Sequence, residues 1–147
     1  MMNRKISVLL IFITLILMFS GCGKTQPENG KFEVKSDETF TVNVKMEDSG
    51  NIKSMALSLY LDDDAFEVVD GEWLNHKAVI ADFNKTNKDA AIAFKEDTNY
   101  CGEIFKFTMK AKKDLTIIDD MIIVEAVLKN GEETLECKGI ELSYTKQ

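Results

Sequence analysis

One histidine, one tryptophan, one proline and one arginine in 147 residues leave few side chains for chemistry. His76 has no cysteine or histidine near it at metal-ligand spacing, so neither a zinc site nor a His-activated nucleophile has support. A lone loop histidine is ordinarily a surface residue. No glycine-rich phosphate loop and no G-x-S-x-G elbow occurs. Nor is there a helical stripe of three or more turns. A small glycoside hydrolase would need two carboxylates beside a cleft, and a chain this short has little room for a cleft as well as a core. The expectation is a protein that is not an enzyme and holds neither metal nor cofactor.

Positive charge is also scarce. The chain carries 18 basic and 25 acidic residues, a net −7. Nucleic acid and anionic headgroups repel such a surface. Two of the basic residues, Arg4 and Lys5, precede an apolar stretch at 6–19 and then "FSGC". A basic start, a short apolar run and small residues describe an export signal. The run is shorter than the ~20 residues a spanning helix needs. Its end resembles a bacterial lipoprotein signal, with Phe19 where leucine is usual. That resemblance implies cleavage before Cys22 and lipid on its sulfur, and two or more acyl chains anchor stably. The expected organisation is a signal at 1–21, a lipidated tether at 22–30 and one folded domain at 31–147. The exported chain would keep 16 basic residues against 25 acidic ones, a net −9, on the outer face of the cell membrane. Cys101 and Cys137 remain, and either a disulfide or two free thiols is compatible with export.

What is abundant is alternation. In "TFTVNVKM" the residues Phe40, Val42, Val44 and Met46 share one side of a strand. "MALSLYL" repeats this with Met55, Leu57, Leu59 and Leu61, and "IFKFTMKA" with Phe105, Phe107, Met109 and Ala111. Shorter strands are expected at 31–34, 66–69, 78–83, 90–94, 121–128 and 135–144. Turn residues separate them at 48–51, 62–64, 70–71 and 130–131. About nine strands in roughly 115 residues is the pattern of an all-β sandwich.

"SLYLDDDAFEVVDGEWL" holds the densest acidic cluster. Counted from Asp62 as an EF-hand loop, glycine is missing at the sixth position and glutamate at the twelfth. Aspartates cap backbone N–H groups in turns, and a turn is needed between these two strands. The three aspartates therefore read as a turn.

The order of segments, "ETFTVNVKMEDSGNIKSMALSLYLDDDAFEVVDGEWL", "ADFN", "AAIAF", "GEIFKFTMKAK" and "KGIELSY", resembles the cohesin domain, the dockerin-binding module of cellulosome scaffolds. The likeness runs from about residue 32 to 144. It implies a nine-stranded flattened jelly roll, also the fold of carbohydrate-binding modules, with strand orders 8-3-6-5 and 9-1-2-7-4. Against that layout Asn130-Gly131 looks like a hairpin turn, which the family's separation of strands 8 and 9 would turn into a corner between sheets.

In cohesins the partner docks on the outer face of the 8-3-6-5 sheet. Carried over by strand parity, that face holds Ser54, Ala56, Ser58, Tyr60, Asp82, Ala91, Ala93, Ile123, Glu125 and Val127. The resemblance implies a dockerin-like protein partner, with any calcium belonging to the dockerin. Ser54 and Ala56 stand where the family has an Asn/Asp pair. The alternative partner is polysaccharide, stacked on Tyr60, Trp73 and Tyr100, since sugars pack on exposed flat rings. A self-associating envelope lipoprotein is a further reading.

Overall fold

A computed structural model describes residues 24–25, 31–118 and 120–147, and none of these is α-helical. The signal, Cys22 and most of the tether lie outside the described residues. Twelve strands follow one another: β1 (Lys24–Thr25), β2 (Phe32–Val34), β3 (Thr39–Asp48), β4 (Asn51–Leu61), β5 (Phe66–Trp73) and β6 (Ile80–Asn84). Then come β7 (Asp89–Asn99), β8 (Gly102–Ala111), β9 (Leu115–Ile117), β10 (Ile122–Asn130), β11 (Glu133–Leu135) and β12 (Lys138–Lys146).

They form two five-stranded sheets and a two-stranded one. The front sheet runs β11-β10-β4-β7-β6, the back sheet β1-β12-β3-β8-β5, and β2 pairs with β9. Without β11, the front order is the 8-3-6-5 order expected. The back sheet departs from expectation. β12 pairs directly with β3 along most of its length, with no first strand between them. β2 is displaced into its own pair with β9, and β1 lies parallel on the far side of β12.

Alternation explains the core. Phe40, Val42, Val44 and Met46 of β3 are fully buried, as are Phe105, Phe107, Met109 and Ala111 of β8. Met55, Leu57 and Leu59 of β4 face them from the front sheet. The Phe105 and Phe107 rings lie 4.5 Å apart between centroids, with Phe83 against both. Packing such rings and branched side chains between two sheets is the main force holding the sandwich together.

Three local expectations need correction. Asp70-Gly71 is not a turn, because β5 continues through it to Trp73 with a bulge between Val68 and Asp70. Gly71 permits this: a Cβ there would lie 2.8 Å from Phe105 Cζ and 2.9 Å from the Phe83 ring. Asn130-Gly131 is a hairpin, not a corner. Asn130 pairs with Glu133 across a two-residue loop, and Gly131 holds φ +63° at its first position. The chain crosses to the back sheet only afterwards, between β11 and β12. Finally, Cys101 is a free, exposed thiol and Cys137 is disulfide-bonded, so the two are not joined to each other.

The triple-aspartate turn is as expected. The Asp62 carbonyl accepts from the Ala65 and Phe66 amides, and its carboxylate from the Asp64 amide at 2.9 Å. Lys88 Nζ lies 3.1 Å from Asp63 Oδ1, and Lys112 Nζ donates to the Asp63 carbonyl. Two lysines and three amides thus occupy the cluster as a connector. Among the described residues no group of three or more His, Cys, Asp or Glu side chains suits a metal ion.

Candidate binding face

The front sheet has one side against the core and one toward solvent, and ladder register fixes which side chains are neighbours on the solvent side. Four rows cross the strands. The first joins Lys129, Ser54, Ala93 and Ile80. The second joins Val127, Ala56, Ala91 and Asp82. Glu125, Ser58, Asp89 and Asn84 make the third, and Ile123 beside Tyr60 begins the fourth.

Every residue assigned to this face from parity is on it. Ala56, Tyr60, Asp82, Glu125 and Val127 are exposed, and Ser54, Ser58, Ala93 and Ile123 are partly so. Strand β10 resolves cleanly: Ile122, Val124 and Leu128 are buried while Ile123, Glu125 and Val127 turn outward. The face also holds residues not anticipated, namely Asp89, Lys129, Ile80 and Asn84. Extending the same two-residue parity past the strand ends would have found Asp89 and Lys129.

In character the face is a short apolar strip, Val127–Ala56–Ala91, with acids beside it. Tyr60 is 51% exposed, Val127 49% and Ile80 53%. Asp82, Asp89 and Glu125 take part in no ion pair among the described residues. A shallow, open depression runs along Ala56, Ser58, Asp82, Asn84 and Asp89. There is room for a flat partner and none for an enclosed substrate.

The aromatic row expected for sugar stacking is not there. Trp73 is buried, its Nε1–H donating to the Asp82 carbonyl at 3.1 Å and its ring edge-on to Phe105 at 5.0 Å. Tyr100 is buried too, its hydroxyl against the carbonyl oxygens of Leu74 and Ile104. Burial pushes that phenol up to about 12, partly countered by the Leu74 hydrogen bond. Large amphipathic rings bury their area and find a carbonyl for their polar tip, and both did. Only Tyr60 of the three presents a face to solvent.

No family model matches the chain, and no curated protein does. Three chains of solved structures match. One belongs to the crystal structure of a novel type I cohesin–dockerin complex from Clostridium thermocellum. It is 15% identical, with 84% of this chain and 90% of that chain covered and a TM-score of 0.49. The sandwich itself rests on the ladders described above.

Proposed function

We propose that the chain is a non-catalytic binding module that captures a protein partner on the outer face of its front sheet. The observation that carries this is the Val127–Ala56–Ala91 strip with unpaired Asp82, Asp89 and Glu125 around it. Exposed apolar side chains rimmed by charge are the makings of a protein interface. The serial resemblance to cohesins makes a dockerin-like partner the first to test. Replacing an Asn/Asp pair by Ser54 and Ala56 removes one side-chain hydrogen-bonding position and puts an apolar contact in its place.

Calorimetric titration with a purified dockerin, with and without a calcium chelator, tests the partner. Saturable binding that chelation abolishes supports it. Val127→Asp should then weaken binding at least tenfold, an effect of hot-spot size, while Thr108→Asp on the back sheet leaves it unchanged. Equal loss from both variants, or none from either, would overturn the face assignment. Retention on insoluble polysaccharide instead, lost with Tyr60→Ala, would move the function to sugar binding.

We further infer export and anchoring through lipid on Cys22. The intact mass of the membrane-extracted chain decides: an added diacylglyceryl group supports the anchor, and its absence rejects it.

A further inference from the structure

The front face alone is small. Four strands and four rows span about 14 Å by 20 Å, on the order of 300 Å², against the roughly 800 Å² each partner buries in a stable interface. A partner must reach beyond the face, and the structure offers one contiguous place. Strand β10 pairs with β4 from Ile122 to Lys129, but β11 covers only Leu128, Lys129 and Asn130 on its other side. Residues 122–127 therefore have no strand hydrogen-bonded along that edge among the described residues, although β1 passes close to β10.

Ladder alternation identifies the groups on that edge. Asn130 and Glu133 close a two-residue hairpin, so Asn130 points its N–H and C=O toward β11. Counting back in twos, Leu128, Ala126, Val124 and Ile122 point the same way, and Ile123, Glu125 and Val127 point toward β4. The Leu59 amide donates to Lys88 and the Val79 amide to Ala93, the same alternation continued across β7 and β6. Three residues, Ile122, Val124 and Ala126, thus offer three N–H and three C=O groups without a strand. Open backbone of this kind is a template for strand addition.

Other edges are blunted. The β5 edge carries a bulge between Val68 and Asp70, and the β6 edge is short, five residues from Ile80 to Asn84. On β10 the outward side chains are Ile123, Glu125 and Val127, one acid between two aliphatics. A strand laid beside them is favoured when it sets a basic residue opposite Glu125 and aliphatic ones on either side.

We propose that the open edge of β10 accepts an extended segment of the protein partner, an aliphatic–x–basic–x–aliphatic strand that lengthens the front sheet and continues its binding face. The size argument rests on the face reading; the open edge does not.

The test uses the full exported chain and a fluorescent seven-residue peptide that alternates threonine with valine, lysine and isoleucine. Binding is read by anisotropy, and amide exchange by NMR. In the free chain the amides of Ile122, Val124 and Ala126 should exchange fast, and the peptide should protect them. Methylating the peptide's edge-facing amides, or swapping its lysine for glutamate, should each cost about fivefold or more in affinity. A scrambled peptide of the same composition should not bind. Ala126→Pro removes only an outward N–H, which edge strands tolerate, and should abolish binding without unfolding the chain. Slow exchange at those three amides in the free chain would overturn the proposal. So would indifference to N-methylation, or a concentration-dependent dimer through this edge with no peptide bound. Tyr60→Ala should spare the peptide while weakening a face-bound partner, so the two readings can fail separately.

Discussion

Thr41, Thr108, Asn43 and Lys106 at the centre of the back sheet form two cross-strand pairs, as Ala56, Ala91, Ser58 and Asp89 do on the front. On the back, three lysines are paired, while Lys45, Glu67 and Glu141 take part in no ion pair among the described residues. Lys106 meets Glu72 at 3.0 Å, Lys110 meets Asp37 at 2.9 Å, Lys146 meets Glu38 at 3.1 Å, and Asn43 Nδ2 donates to Thr145 Oγ1 at 3.0 Å. On the front, small apolar side chains leave the backbone accessible, and three acids have no ion-pair partner among the described residues. Both faces keep some acids unpaired, so what sets the front apart is its apolar strip, and that strip is what the proposed docking rests on.

The sharpest break in the comparison sits inside one strand. Leu59 and Tyr60 are adjacent, one 4% and the other 51% exposed. Leu59→Asp puts a charge between the sheets and should cost at least ~3 kcal/mol, seen as loss of the cooperative denaturant transition. Tyr60→Ala should stay within about 0.5 kcal/mol of the parent. Equal stability of the two variants would mean the faces are assigned wrongly.

Gly71 comes next, where β5 lies against the Phe83 ring of the front sheet. Gly71→Ala should destabilise by ~1–3 kcal/mol, because the Phe105 and Phe83 rings must both give way. An unchanged midpoint would show that the bulged strand moves aside freely.

The self-pairing of the back face is open to a milder test. Exposed ion pairs contribute little, so Lys106→Met should shift stability by no more than about 0.5 kcal/mol, and salt should erase the shift. Glu38 gives the pH counterpart. The Lys35 amide, the Lys146 ammonium and the charge of both lysines hold its carboxyl below the usual value of 4.5. A depressed folded-state value means a contribution fully present at neutral pH, lost as pH falls through and below that range. Glu38→Gln should flatten the acid limb of the stability curve slightly, measured as melting temperature against pH. A steeper limb would reverse the sign.

Period-two alternation made both faces of β3, β4 and β8 legible, because one buried side leaves no freedom of register. The front order followed from the resemblance. What could not be read was which strand lies beside which in the back sheet: nothing local in "KGIELSY" records that Val44, and not a first strand, is its neighbour. Aromatic residues were ambiguous for another reason. Tyr60 and Tyr100 look alike in sequence, and only the carbonyls of Leu74 and Ile104, brought in from elsewhere, decide that Tyr100 turns inward. The hairpin at Asn130-Gly131 was plain in its own chemistry, and the expectation of a corner obscured it.

The indole of Trp73 joins the two sheets at their β5 and β6 edges and is the only tryptophan in the chain. Its emission is therefore a built-in optical gauge of that seam. Denaturant should red-shift it in step with the loss of secondary structure as water reaches the ring. A ligand resting on Ala56 and Val127 should leave the band where it is. If docking pulls on Asp82, whose side chain lies on the face and whose carbonyl holds the indole, the same band will move in a molecule that has not unfolded. One unlabelled spectrum can thus tell a partner that merely rests on the sheet from one that shifts β6.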